Sequence, residues 1–153
     1  MREVPESSVP ASTGSKTITA ETRTFEADRV EAANIDEWIG TVGRQWGENE
    51  RAIFAARLCV AELFANVIEH GEAQAGRDHI TVTLTRCTDG IGVEFLDTCA
   101  RFDPTARVIA EQPDPRGSAA ISGRGLMLIR AYTKELAYHN DGKYNHITLK
   151  IAR

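Results

Sequence analysis

Two turn sequences constrain the fold of this chain more than any other feature. The first is Asp89-Gly90, and the second is Asn140-Asp141-Gly142. Turns of this composition favour tight β-hairpins when alternating strands flank them. The four strands predicted around these turns cover residues 80–85, 91–97, Glu135–His139 and Tyr144–Ile151. The chain is therefore expected to contain at least two antiparallel strand pairs.

Two segments before the first hairpin have helical periodicity. The first follows Asp28 as its N-cap and ends at Gly47, and the second runs from about Asn49 to Glu69. The second segment is apolar on two flanks, which predicts a largely buried helix. Glu62 and Asn66 lie in the narrow row between those flanks, so we expect that they are more than solvated polar residues.

The order of the predicted elements indicates the fold class. A threonine-rich strand over residues 16–25 precedes the two helices, and a third helix starts near 123–125, between the hairpins. Hairpins build an antiparallel sheet, and helices must cover one of its faces, so we predict a two-layer α+β domain over residues 16–153. Residues 1–15 are expected to form a flexible tail, and the irregular segment 98–122 a lid over a pocket.

Composition excludes several classes of protein. The net charge of −4 argues against direct nucleic-acid binding, which needs a basic surface. No apolar run approaches the ~18–20 residues that span a bilayer, so we expect no membrane association. The N-terminus has no signal-peptide core, so a cytoplasmic location is expected. Three widely spaced cysteines suggest neither a disulfide framework nor a zinc site.

Glu62 and Asn66 are four residues apart on the second predicted helix, which places both side chains on one face. An amide oxygen is a hard ligand that suits Mg²⁺ beside phosphates, and a carboxylate can accept a proton from a nucleophile. Taken alone, the two residues fit a structural hydrogen-bonded pair better. Their interpretation as a site therefore depends on the rest of the sequence.

Two further clusters contain candidate ligand-binding residues. Asp97 ends the core-facing row of its strand, where it could accept a hydrogen bond from an adenine amine, with Phe102 packed near the base. A structural Asp that binds backbone amides of the next turn is the alternative. Gly123-Arg124-Gly125-Leu126 opens the third predicted helix, where glycines, an arginine and a helix N-terminus favour phosphate groups.

In this order, the three clusters resemble the motifs of the GHKL ATPases, and most of all the small anti-sigma-factor serine kinases of the RsbW and SpoIIAB type. Residues 62–71, Glu-x-x-x-Asn-x-x-x-His-Gly, are similar to the N box of that family. Residues 97–104 and 123–126 are similar to its first and second glycine boxes, and residues 142–149 to its closing hairpin. The resemblance extends from Thr24 to the C-terminus.

The resemblance implies a fold and a set of residue roles. The implied fold is the α/β sandwich of the histidine-kinase-like ATPases, a mixed but mostly antiparallel sheet with three helices over one face. ATP and Mg²⁺ are the implied ligands. Glu62 would be the general base that activates a serine hydroxyl, Asn66 the Mg²⁺ ligand, and Asp97 the adenine-binding carboxylate with Thr148 in support. The remaining implied ATP-binding residues are Cys99, Phe102, Gly123, Arg124, Gly125 and Leu126.

The resemblance also implies a function. The protein would be an anti-sigma factor and ATP-dependent protein-serine kinase that sequesters a sigma factor and phosphorylates a STAS-domain antagonist of that anti-sigma factor. A homodimer is compatible with the resemblance. Cys99 stands where the family usually has glycine, and Ile121 where its kinases often have arginine. These departures favour the alternative of a non-catalytic nucleotide-binding adaptor that sequesters a regulatory partner.

Overall fold

The computed structural model describes residues 19–105 and 127–153. The predicted tail over residues 1–15 lies outside these ranges, as do residues 106–122 of the predicted lid. The strands are β1 (Ala20–Glu26), β2 (His79–Cys87), β3 (Gly90–Asp97), β4 (Glu135–Asn140) and β5 (Asn145–Ala152). The helices are α1 (Ala32–Gln45), α2 (Glu50–His70) and α3, which is described over residues 127–132.

A side-chain cap lies at the start of α2 and another just before α1. Asp28 accepts a hydrogen bond from the Val30 amide at the start of a 3₁₀ turn, Arg29–Glu31, that leads into α1. Asn49 accepts one from the Ala52 amide at the start of α2, at 2.8 Å. A cap of this kind satisfies one of the backbone donors that a helix leaves unpaired at its N-terminus. The two helices predicted from the sequence are confirmed.

The five strands form one sheet in the order β1-β2-β3-β5-β4, and every pairing between these strands is antiparallel. The two predicted hairpins are the pairs β2–β3 and β4–β5. Gly90 begins β3 with a φ of +155°, and a Cβ atom there would lie 1.8 Å from the carbonyl oxygen of Ile151. Only glycine at this position allows β3 and β5 to approach so closely.

The helices cover one face of this sheet. Alternate residues of β2, β3 and β5 point toward α1 and α2 and are buried, while their neighbours are more exposed on the other face. That open face includes threonine pairs whose hydroxyl groups contact each other across strands, such as Thr22 with Thr83. The two-layer α+β arrangement predicted from the sequence is thereby confirmed.

The prediction that α2 is buried on both flanks is wrong. The flank that contains Ile53, Val60 and Phe64 is buried against the sheet and α1. The other flank is partly open, and Phe54 is 54% exposed. The physical reason is that the helices form a single layer, so the outer surface of α2 faces solvent in the described part of the chain. Within the polar row, Asn66 is buried, whereas Glu62 and Glu69 are not.

Candidate functional site

A narrow cleft lies between the C-terminal half of α2 and the ends of β3 and β5. The chain that follows β3 closes its side. Two of the residues that sequence reasoning placed in different motifs, Asn66 and Asp97, meet in this cleft. The full set of lining residues is Leu63, Asn66, Val67, Gly71, Asp97, Ala100, Phe102, Pro104, Asn145 and Ile147. The cleft is thus narrow and largely apolar, with a few polar groups that converge on it.

Asp97 is the last residue of β3, and its side chain is 2% exposed. Its Oδ1 atom accepts a hydrogen bond from the Cys99 amide at 3.0 Å and another from Asn145 Nδ2 at 2.9 Å. Burial raises the pKa of the Asp97 carboxyl above its ordinary value, although the hydrogen bonds from Asn145 and Cys99 act in the opposite direction. Asp97 is therefore a desolvated acceptor whose orientation is fixed by two donors.

Asn145, which sequence reasoning missed, is the direct partner of Asp97. It stands opposite Asp97 in the β3–β5 register and is 2% exposed. The alternation of apolar residues in β5 could have identified Asn145 from the sequence. Ile147, Leu149 and Ile151 mark the apolar face of β5, and Asn145 has the same parity, so the alternation of a strand places it on the cleft side.

The placement of Thr148 beside Asp97 is contradicted by the structure. Thr148 is exposed and pairs with Glu94 on the open face of the sheet, whereas Asp97 faces the helices. Successive residues of a strand point to opposite faces, so Thr148 and Asn145 cannot both reach the cleft. The support that the sequence assigned to Thr148 is provided by Asn145.

Asn66 lies on α2 and presents its amide to the same cleft as Asp97. The residue is 6% exposed, and its buried Nδ2 atom has no hydrogen-bond partner among the described residues. A buried polar group without a partner is costly, which indicates that the amide is arranged for a group outside the described residues. The predicted side-chain position is thus compatible with a ligand-binding role.

The residues present also fit a magnesium ion. The described residues contain no group of three or more His, Cys, Asp or Glu side chains that could hold a metal ion by themselves. Mg²⁺ seldom uses such a cage, because it keeps several waters and binds through one or two protein oxygens together with substrate phosphates. A single amide such as that of Asn66 is sufficient for this mode of binding.

Glu62 lies one helical turn before Asn66 on α2, but it does not line the cleft. Its side chain is partly exposed, and it makes no hydrogen bond or ion pair with the other described residues. Cys59 lies three residues before Glu62 on α2. Burial raises the pKa of the Cys59 thiol to about 12, and the negative charge of Glu62 adds to this effect. The carboxylate of Glu62 is therefore near the site and open to an incoming group.

Phe102 lines the cleft, as the sequence predicted that it would lie near a base. Its ring stacks on the imidazole of His70, with 5.2 Å between the ring centroids and 21° between the planes. The His70 Nε2 atom is buried and has no hydrogen-bond partner in the described part of the chain. His70 ends α2, so this stack ties the segment after β3 to the helix that carries Asn66.

Cys99 does not line the cleft, contrary to the expectation that it is one of the ATP-binding side chains. Its side chain is buried against Gly71, where an added Cβ atom would lie 3.0 Å from the Cys99 Cβ. Burial, followed by the charges of Asp97 and Asp78, raises the pKa of the Cys99 thiol to about 12. Cys99 nevertheless supports the site, because its backbone amide and its side chain both hydrogen-bond to Asp97 and its carbonyl accepts from Asn145.

Asp78 stabilises the segments next to the cleft, and it was not predicted from the sequence. It accepts hydrogen bonds from the Gln74 amide, from Arg77 and from the Thr98 hydroxyl. Burial alone would raise the pKa of the Asp78 carboxyl, but the three donors outweigh burial and lower it. Asp78 thereby links the loop after α2 to the residue that follows Asp97.

The predicted phosphate-binding residues Gly123, Arg124, Gly125 and Leu126 lie outside the described residues, as does Ile121. Their predicted contact with phosphate groups therefore stays a prediction. The described part of the candidate site comprises Asp97, Phe102 and the helix that carries Asn66 and Glu62.

Comparison with known proteins adds one finding to this geometry. The family model of the histidine kinase-like ATPase domain matches residues 25–151, which is most of the chain and includes every part of the cleft. A search of curated proteins found no match. Within the described residues, no helix is both long and apolar enough to cross a membrane.

Proposed function

The chain belongs to the family of histidine kinase-like ATPase domains, and from this premise we propose that it is a protein-serine kinase that uses ATP with Mg²⁺. Membership of the family makes it an ATP-binding domain. The serine specificity, the metal and the regulatory role described below are the proposal. It rests chiefly on one observation, that Asn66 and Asp97 meet in one cleft although 31 positions separate them in the chain.

Asp97 and Phe102 would bind the base of the nucleotide. A carboxylate held by two donors on one oxygen can accept a hydrogen bond from an exocyclic amine with its other oxygen. The apolar lining of the cleft suits the flat faces of a purine, and Phe102 supplies an aromatic edge to that lining. Ile147 and Val67 add aliphatic contacts on the same side.

Asn66 would hold the metal through its amide oxygen. When bound, Mg²⁺ would neutralise charge on the phosphate oxygens, which is the main chemical requirement of phosphoryl transfer. The Nδ2 atom of Asn66 is a donor and cannot ligate the ion; since it has no hydrogen-bond partner among the described residues, it would be available to a phosphate oxygen beside the ion.

Glu62 would accept the proton of the serine hydroxyl. It lies one turn from Asn66, which is about 5–6 Å along the helix. Its carboxylate is partly exposed, so a hydroxyl group on a second protein can reach it. A positioned carboxylate of this kind contributes to catalysis by taking up the proton as the hydroxyl oxygen attacks.

The proposed partners follow from the resemblance to the small anti-sigma-factor kinases. In this proposal the protein sequesters a sigma factor. It phosphorylates a serine of a STAS-domain antagonist, and phosphorylation keeps that antagonist inactive. A homodimer is part of the same proposal.

A second candidate function is a nucleotide-binding adaptor that sequesters its partner without phosphoryl transfer. The observation that favours it is that Glu62 stands outside the cleft that Asn66 and Asp97 line. The two candidates share the nucleotide site and differ only in whether Glu62 acts on a hydroxyl group. One set of variants can therefore separate them.

The first test measures binding by titration calorimetry with ATP and MgCl₂. Asn66→Ala and Asp97→Ala should each weaken binding by about tenfold to a hundredfold, the value of a hydrogen bond to a charged group. Glu37→Gln, on an exposed position of α1, is the matched control and should bind as the wild type does. Equal affinity of all four proteins would refute the assignment of the cleft as the ATP site.

The second test measures transfer from radiolabelled ATP to a STAS-domain antagonist. The kinase proposal expects a phosphoserine in the antagonist with wild type and Glu37→Gln, and a rate at least about a hundredfold lower with Glu62→Gln, since general bases typically contribute about 10²–10⁴-fold. An unchanged rate in Glu62→Gln removes Glu62 as the base. No labelled antagonist with any protein, despite normal ATP binding, favours the adaptor.

A further inference from the structure

A second pocket lies on the other side of α2, in the groove between α1 and α2. Its volume is about 190 Å³, and its apolar walls come from both helices: Ala32, Ile35, Ala61, Phe64, Ala65 and Ile68. None of the residues that line this interhelix pocket also lines the cleft. Positions 61, 64, 65 and 68 share one face of α2, whereas the cleft positions 63, 66 and 67 share the opposite face, so the two sites are separate.

Alanine residues give the interhelix pocket its depth. Ala32, Ala61 and Ala65 contribute only methyl groups to its walls. Ile35 and Phe64, which are 3% and 4% exposed, form its floor. An apolar cavity of about 150 Å³ can hold benzene, so this pocket has room for one aromatic ring and a methylene group. An apolar group that enters it is removed from water, which favours binding.

An ion pair connects α1 and α2 at one end of the interhelix pocket. Arg57 of α2 donates to both carboxylate oxygens of Asp36 on α1, from Nε at 2.9 Å and from a terminal nitrogen. These hydrogen bonds lower the pKa of the Asp36 carboxyl, although burial acts in the opposite direction, so the pair is charged at neutral pH. Charge-assisted bonds in this bidentate arrangement fix the spacing of the two helices, and the pocket is therefore formed before a ligand binds.

Two further charged residues line the other end of the interhelix pocket. Because α1 and α2 run antiparallel, Arg29 just before α1 and Glu69 near the end of α2 both lie beyond the ion pair. They make no ion pair with each other. The Arg29 guanidinium has no partner in the described part of the chain, and Glu69 is 3.8 Å from the His70 imidazole. A ligand with one anionic and one cationic group can therefore pair with both residues.

We infer that the interhelix pocket binds a free amino acid with a large apolar side chain, such as phenylalanine. The side chain lies between α1 and α2, the carboxylate pairs with Arg29, and the ammonium group pairs with Glu69. The charges of the ligand and of these two residues are complementary, and neither charged group has to enter the apolar part of the pocket. The inference is independent of the proposed function, because no residue of the cleft takes part.

The experiment records ¹H–¹⁵N NMR spectra of the protein during titration with L-phenylalanine. The amide signals that shift locate the binding site, and the size of the shifts gives the dissociation constant. Wild type should bind with a dissociation constant of about 1 mM, as expected for a small ligand held by one apolar group and two exposed charges. The shifts should be largest at Ala32, Ala61 and Ala65 and small at Asp97 and Phe102 of the cleft.

Variants with matched controls test each contact of the ligand. Ala61→Leu places a larger side chain in the pocket and should weaken binding by at least about tenfold, whereas Ala33→Leu, at an exposed position of α1 outside the pocket, should bind as the wild type does. Arg29→Gln and Glu69→Gln should each weaken binding by about twofold to fivefold, the value of an exposed ion pair. Arg51→Gln, at an exposed position of α2 outside the pocket, is the control for both.

Two analogues of phenylalanine show which charge meets which residue. 3-Phenylpropanoate lacks the ammonium group, so Arg29→Gln should weaken its binding and Glu69→Gln should not. L-Phenylalaninamide lacks the carboxylate and is used at slightly acidic pH, where its amino group is charged. Its binding should depend on Glu69 and not on Arg29. This crossed dependence isolates each pairwise interaction from general effects of a substitution.

The absence of shifts with L-phenylalanine, or shifts confined to the cleft, overturns the inference. Equal affinity of Ala61→Leu and wild type does so as well. If the amide binds more tightly than the free amino acid and Arg29→Gln has no effect, the pocket accepts the N-terminal residue of a peptide instead, and the inference is wrong. Circular dichroism confirms that each variant is folded. If Ala61→Leu does not fold, the crossed dependence on Arg29 and Glu69, which are both exposed, decides the inference.

Discussion

Gly43 of α1 packs closely against Ile53 of α2. A Cβ atom built on Gly43 would lie 2.7 Å from Cγ1 and 3.2 Å from Cδ1 of Ile53. Ile53 is completely buried, and its branched side chain is held between the two helices, so it has no free direction in which to move. We predict that Gly43→Ala destabilises the protein, although alanine is a better helix former than glycine.

The size of the effect follows from two opposing terms. Forcing an extra carbon into a packed core costs about 1–3 kcal/mol, while replacing glycine by alanine within a helix contributes about 1 kcal/mol of stability. Gly40 lies one turn earlier on α1 and separates these terms. A Cβ atom there would meet only the guanidinium of Arg44, at 3.2 Å, which is the mobile end of an exposed side chain.

Both variants gain the same helix propensity, so the difference between them isolates the contact with Ile53. We expect Gly40→Ala to be as stable as wild type or up to about 1 kcal/mol more stable. Gly43→Ala should be about 1–3 kcal/mol less stable than Gly40→Ala. Urea unfolding followed by circular dichroism measures both free energies. Equal stability of the two variants would refute the close helix approach described here.

Three further predictions concern other parts of the chain. Arg153→Ala removes the guanidinium that donates two hydrogen bonds to the enclosed Glu48 carboxylate, so it should lower the urea-unfolding midpoint. The double variant with Glu48→Met removes the carboxylate as well and should have a higher midpoint than Arg153→Ala alone; a lower one would contradict the enclosure of Glu48. The pKa of the Asp97 carboxyl is raised in the folded protein, so folding becomes less favourable as the pH rises from 3.8 through that raised pKa and this carboxyl loses its proton. Over this pH range, wild type should lose stability relative to Asp97→Asn, with no further loss at higher pH. A constant difference between their urea midpoints would contradict the burial of the carboxyl. Iodoacetamide should label the partly exposed Cys87 in the folded protein well before the buried Cys59, because the Cys59 pKa of about 12 leaves almost no reactive thiolate. Mass spectrometry of the labelled peptides measures the order of labelling. Equal labelling rates would contradict the packing of α2 around Cys59.

The element order and the strand pairs could be predicted because they depend on local chemistry. Asp89-Gly90 and Asn140-Asp141-Gly142 both connect the hairpins that they predicted. Asp28 caps the 3₁₀ turn that leads into α1, and Asn49, where the second helix was expected to begin, caps α2. Turn and cap preferences act over a few residues, so they can be recognised in the sequence without knowledge of the remaining fold.

The burial of α2 could not be predicted in the same way. Phe54 and Ile53 are adjacent and both apolar, yet one is more than half exposed and the other is fully buried. Periodicity shows that a helix has two apolar flanks, but the position of the sheet and of α1 decides which flank is covered. Hydrophobic burial has no direction of its own, so only the packed structure could decide between the flanks.

The sequence by itself determined the hairpins, the helix starts and the candidate residues Glu62, Asn66 and Asp97, since each depends on spacing or on local preference. Only the tertiary structure decided that Asn66 and Asp97 share a cleft and that Asn145, rather than Thr148, binds Asp97. Hydrogen bonds require atoms within about 3 Å of each other. Positions 97 and 145 reach that distance only because the register of β3 with β5 places them opposite one another.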